Sequence, residues 1–157
     1  MLLFNNELLF GAFTNLFILG WLALLVGAFL KEESAARRYL LLIGGRVIPF
    51  ILLGAFVLGW ALTRGLPGDI VSFEEVLLTN TIPEKVLSAW FEILGLALLV
   101  CRWMVDDSSV HRSPKLILVI GLVGAFVAAA IGLVLYLVLA RFWVRAKRLP
   151  ALHPLGD

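Results

Sequence analysis

The chain has 157 residues, of which 62% are hydrophobic and 15% charged, with a formal net charge of +2. A mean hydropathy of +1.03 is too apolar for an ordinary water-soluble domain, and the absence of a basic face interleaved with aromatics argues against a nucleic-acid partner. The length suits about four membrane spans of roughly 20 residues each, so one multi-pass integral membrane domain over residues 1–157 is expected.

The stretch before residue 8 holds no Lys or Arg. The apolar run that follows is longer than a signal-peptide core, so 8–30 reads as a permanent first span. The charged connector that follows begins at Lys31 and ends at Arg37 and Arg38. The second span, 39–62, carries Arg46 and Pro49, and the proline lacks a backbone donor and should kink or loosen its helix. Residues 63–85 form the one long connection. Its turn chemistry lies at Gly65 to Asp69, and a short amphipathic helix from Ser72 to Leu78 is expected, with Ser72 as cap and Glu75 three residues on.

The third span, 86–105, contains a carboxylate, Glu92, at a depth where a charge is costly unless paired, hydrated or protonated. Residues 106–115 are polar, the fourth span is 116–140, and 141–157 is a basic tail. The expected fold is all-α: an integral membrane four-helix bundle with both termini on one side. If the side of Lys31–Arg38 is A and the opposite side B, A collects Lys31, Arg37, Arg38, Arg102, Arg112 and Lys115. Side B collects Arg64, Lys85, Arg141, Arg145, Lys147 and Arg148. That tie leaves the orientation open under the positive-inside rule.

Rows of small residues show how apolar helices approach in lipid. In the fourth span Gly124, Ala128 and Gly132 recur every four residues, beside a second row of Gly121, Ala125 and Ala129. Packing within the chain is the favoured reading, with a homodimer or partner-docking face as the alternative.

Candidate chemistry gathers near side B. A rise of ~1.5 Å per residue puts Glu92 roughly 9 Å in from that side and Asn15 about 10 Å in, with Tyr136 approaching the same level from the fourth span. Ser88 lies one turn from Glu92, and Trp90 and Trp21 are placed to line a pocket. Glu92, Asn15 and Tyr136 are the candidate catalytic groups, and Ser88, Trp90, Trp21 and Arg46 the candidate substrate contacts. A buried Glu92 would act as proton donor or acceptor; the plain alternative is a protonated or water-facing packing group. Arg102 reads as a snorkelling side chain, and Asp106 and Asp107 as a solvated helix end. His111 and His153 fall in loops, so no pair of haem-ligating histidines arises. No Walker, Rossmann, zinc or Ser-His-Asp pattern occurs, so neither cofactor nor metal is called for. The lone Cys101 sits in an apolar run.

The run from Ala89 to Asp107, AWFEILGLALLVCRWMVDD, resembles the signature of the abscisic-acid-deficient-four-like family. These are small four-span membrane proteins whose plant members are implicated in forming neoxanthin from violaxanthin. Trp90, Trp103, Asp106 and Asp107 fit. The resemblance extends to Asn15-Leu16 with Leu19-Gly20-Trp21, to Ser72-Phe73 and Pro83, and to the segment Gly132 to Tyr136 with Arg141. Three positions depart: Glu92 stands where the family has His, Ala97 where it has Asp, and Ala130 where it has Pro. The resemblance implies binding, isomerisation or other modification of a carotenoid or related isoprenoid lipid in the bilayer. The alternatives are an accessory or assembly subunit of a larger membrane complex and, more weakly, a proton-coupled carrier.

Overall fold

A computed structural model describes residues 6–63 and 81–148. The expected short helix at Ser72–Leu78 lies outside the described residues. All regular structure among them is helical. Helix α1 is Asn6–Phe29. Helix α2, Ala35–Leu42, runs through a π turn, Ile43–Val47, into α3, Ile48–Leu62. Helix α4 is Pro83–His111, α5 is Lys115–Val127 and α6 is Ala129–Arg148.

Three helices, Asn6–Phe29, Ala35–Leu62 and Pro83–His111, are long and apolar enough to cross a membrane. Each contributes a narrow stripe to the interior. On α1 the buried residues are Phe17, Gly20, Leu24 and Gly27, whose spacing of three and four marks one helical face. Helix α4 is the centre of the bundle, packed against α1, α3, α5 and α6. Its buried face runs from Ser88 through Leu94, Leu98 and Cys101 to Met104 and Ser108. The outward faces stay apolar, as at Phe50, Leu58 and Leu19, which suits a lipid solvent.

The expected loosening at Pro49 takes a definite form. Ile48 N–H bonds the Ile43 carbonyl five residues back, and this widened turn absorbs the donor that Pro49 lacks. The same turn is pressed between two neighbours. A β-carbon at Gly44 would stand 2.5 Å from the Gly20 carbonyl oxygen, and one at Gly45 would stand 2.5 Å from Arg102 Cδ. Only glycine fits at either position.

The fourth apolar run departs from expectation. It is not one span over 116–140 but two helices that fold back on each other. Ala128 is extended, at φ −158° and ψ 121°, and ends α5. Gly121 then faces Tyr136, and Gly124 and Ala125 face Gly132, so α5 and α6 lie antiparallel. A β-carbon at Gly132 would collide with the backbone of Ala125 and of Gly121. Both rows of small residues are therefore split by the turn at Ala128, and their members meet across one seam, Gly121, Gly124 and Ala125 of α5 against Gly132 and Tyr136 of α6. Helix α5, 13 residues long, rises about 20 Å, short of a hydrocarbon core of roughly 30 Å. Trp21 Nε1 of α1 donates to the Leu122 carbonyl at 2.9 Å and holds α5 partway down the bundle.

The reversal also changes the ends. Asn6 of α1 meets Glu84 at the start of α4, which is end B. The far half of α6, around Ala140 and Arg141, lies beside His111 and Ser113, which is end A. The start of α1 and the end of α6 are thus at opposite ends, not on one side as expected. Helix α4 also runs on through the segment expected to be a polar loop. It closes at Arg112, which takes a left-handed conformation (φ 49°), while Ser113 N–H bonds the Ser108 carbonyl at 3.1 Å, the usual way of satisfying a helix C-terminus.

Candidate functional site

The reversal of α6 carries Tyr136 away from Glu92 and up to end A. Asp107 follows Glu92 by 15 residues on the same helix, so the two lie about 22 Å apart along its axis. Tyr136 is fully buried, and its hydroxyl donates to Asp107 Oδ2 at 2.7 Å. One turn on, His111 Nδ1 is 3.1 Å from Asp107 Oδ1. The edge of Trp103 packs against the Tyr136 ring with centroids 6.0 Å apart. Trp103, Asp107 and His111 border an open cleft of about 470 Å³ between α4 and α6, whose α6 wall carries Leu137, Arg141 and Arg145; Tyr136 lies behind it.

Accessibility assigns the parts. The Asp107 side chain is 22% exposed and that of His111 53%, so both can meet a molecule in the cleft. Tyr136, with no exposed surface, acts through Asp107: it fixes one carboxylate oxygen, while His111 Nδ1 lies 3.1 Å both from the other and from the Asp107 backbone carbonyl. Arg141 and Arg145 form no ion pair among the described residues, so the cleft carries surplus positive charge beside a carboxylate–imidazole pair. Such a pair can deliver and withdraw a proton.

The other expected site residues do not join this cluster or one another. Asn15 is exposed on the outer face of α1. Glu92 is half-buried on α4 and bonds to no described residue. The proposed cluster of Asn15, Ser88, Glu92 and Tyr136 is therefore not assembled. Ser88 is buried against Gly59 and donates to the Glu84 carbonyl at 3.0 Å, the backbone bond of a packed helical serine. Trp90 donates to Thr14 Oγ1 at 3.2 Å and stacks on Phe10, which ties α4 to α1 near end B. Trp21 is spent on Leu122. Arg46 is exposed in the π turn, at a separate end-A cleft with Arg102 and Asp106. Arg102 itself is paired with Asp106 at 2.7 Å rather than free.

The sequence pattern sets Asp107 at a solvated helix end and His111 in a loop, and so does not pair them. The signal was present: four residues apart on a helix, they share a face. What hid it was the placement of the helix end at residue 105.

A family model described as ABA DEFICIENT 4-like matches residues 8–136. The chain belongs to that family. The match runs from α1 to Tyr136 itself and so spans α4, α5 and the seam of the hairpin. No curated protein and no solved structure matches the chain significantly. Within this member of the ABA DEFICIENT 4-like family, the residues that carry the resemblance divide: Trp90 ties α4 to α1 near end B, Trp21 holds α5, and Asp106 lines the cleft of Arg46. Trp103, Asp107 and Arg141 line the end-A cleft, with Tyr136 bonded to Asp107 behind it, whereas the departing positions Glu92 and Ala97 stand apart from it.

Proposed function

We propose that this protein binds a carotenoid or related isoprenoid lipid from within the bilayer and isomerises or otherwise modifies its oxygenated end at the cleft of Asp107. The observation that carries this reading is one open cleft at end A lined by Trp103, Asp107 and Arg141, with the buried Tyr136 bonded to Asp107 and packed against Trp103 behind it. Family membership supports the substrate class. A long apolar substrate would lie along the outer face of the bundle and present its polar ring between α4 and α6.

Opening of an epoxide with formation of a new double bond suits these groups. His111, beside Asp107, gives a proton to the ring oxygen as general acid; the carboxylate–imidazole pair takes one back from carbon as the double bond forms. Atoms balance in such an isomerisation, and no oxidant is needed. Trp103 offers an aromatic wall to the substrate's ring, and Tyr136 holds Asp107 in place.

The test is expression in a carotenoid-producing host, with chromatography of the extracted pigments and a visible spectrum of the purified protein. A co-purifying pigment or a new isomer, lost in Asp107→Asn and kept in Glu92→Gln, is the expected result. A colourless protein and an unchanged pigment profile would overturn the reading for those substrates. Loss in Glu92→Gln with survival in Asp107→Asn would move the site back to the middle of α4.

A further inference from the structure

We infer that the second end-A cleft, between the π turn and α4, binds the phosphate of an anionic phospholipid. This cleft, about 480 Å³, is distinct from that of Asp107 and brings together Arg37, Arg38, Arg46 and Arg102 with Glu32 and Asp106. Both acids are already engaged: Glu32 lies 3.6 Å from Arg37, and Asp106 2.7 Å from Arg102. Arg38 and Arg46 are exposed and have no partner among the described residues. The Nε of Arg37 is buried without a hydrogen-bond acceptor. The cleft therefore holds a surplus of cationic donors in Arg38 and Arg46, the complement of a phosphate group.

Backbone geometry builds the site. Gly45 lets the stem of Arg102 lie directly on the π turn, which sets Arg46 beside it, and π turns of this kind recur at functional sites. Arg46 stands nine residues beyond Arg37, roughly 14 Å deeper along the helix, so the cleft descends into the apolar layer rather than lying on the surface.

Two observations select a lipid phosphate over a free one. Beyond Arg46 along α3, Phe50 is 70% exposed and Leu58 61%. Between them Gly54 has nothing within 4 Å of a notional β-carbon. Phosphate donors thus open onto a notched apolar strip fit for an acyl chain. In addition, every Lys and Arg of the chain belongs to the end-A half except Lys85 and, outside the described residues, Arg64. The positive-inside rule places such an end on the cytoplasmic side, where anionic lipids concentrate.

The experiment is native mass spectrometry of the full-length protein in neutral detergent, titrated with phosphatidylglycerol, phosphatidylcholine or inorganic phosphate. Phosphatidylglycerol should be retained, and the double variant Arg38→Gln, Arg46→Gln should weaken its apparent affinity at least tenfold. Arg112→Gln, at the same end but outside the cleft, should leave it unchanged. Arg46→Lys should restore part of the binding when placed beside wild-type Arg38. Because Arg38 and Arg46 bond to no described residue, the variants should melt as wild type without lipid. Equal retention of phosphatidylcholine, or undiminished phosphatidylglycerol binding by the double variant, would overturn the site. Displacement of the lipid by millimolar inorganic phosphate would reassign it to a soluble anion.

Discussion

Tyr136 and Asp107, 29 residues apart and separated by a helix reversal, are joined by a hydrogen bond of 2.7 Å from a fully buried hydroxyl to a carboxylate at a cleft. That bond exists because α6 folds back along α5. It links the packing of the hairpin to the chemistry of the site. Tyr136→Phe keeps the ring's volume and removes only the hydroxyl. The expected loss of stability is about 1–2 kcal/mol, since the carboxylate keeps its contact with solvent and with His111. Thermal unfolding in detergent measures it. Pigment conversion should fall as well, because Asp107 is no longer held.

The acid–base assignment separates two carboxylates on one helix. Asp107→Asn and His111→Gln should each lower conversion by roughly 10²–10⁴, the usual contribution of a general acid or base. Glu92→Gln should remain within a few-fold of wild type, because Glu92 lies about 22 Å away along α4. Initial rates on extracted carotenoid substrate decide between them.

The seam of the hairpin is sensitive where the glycines touch backbone. Gly132→Ala should cost about 2–4 kcal/mol, because the added carbon strikes Ala125 and Gly121 backbone that cannot turn aside. Gly54→Ala, in a helix with open space around it, should be neutral or stabilising by up to ~1 kcal/mol. Comparing the two melting curves distinguishes a close approach from a mere helical glycine.

Arg112 caps α4 in a left-handed conformation that lacks a glycine. Arg112→Gly should therefore stabilise the protein by about 0.5–1 kcal/mol, as relief of the β-carbon clash exceeds the added freedom of the unfolded chain. A Tm below that of wild type would show that the arginine side chain contributes more than its backbone costs.

The reversal has a direct consequence for sidedness. Thr81→Cys at end B should react with an impermeant maleimide on intact cells. Glu33→Cys and Arg145→Cys should both react only after permeabilisation, since both lie at the basic end. The native Cys101 is buried and should give no background. Labelling of Glu33→Cys and Arg145→Cys from opposite sides would mean that 116–140 crosses as one span.

By itself, the sequence determined the solvent, the class of fold and the family. Hydrophobic runs of spanning length depend only on composition along the chain, and they located α1, the α2–α3 helix and the start of α4 to within a few residues, but set the end of α4 six residues early, at 105 instead of His111. Pro49 announced an irregular turn, and the rows at Gly121, Gly124 and Gly132 announced a close approach. Only the tertiary structure decided what those glycines approach. A run of 25 apolar residues fits equally well as one long helix or two short ones, because local helix propensity is nearly the same in both. What selects the fold-back is backbone contact across the seam and the Trp21 bond to Leu122, and neither has a signature in the linear pattern. The candidate site moved with it. Depth counted along an assumed straight helix put Tyr136 beside Glu92, whereas the reversed helix delivers it to Asp107.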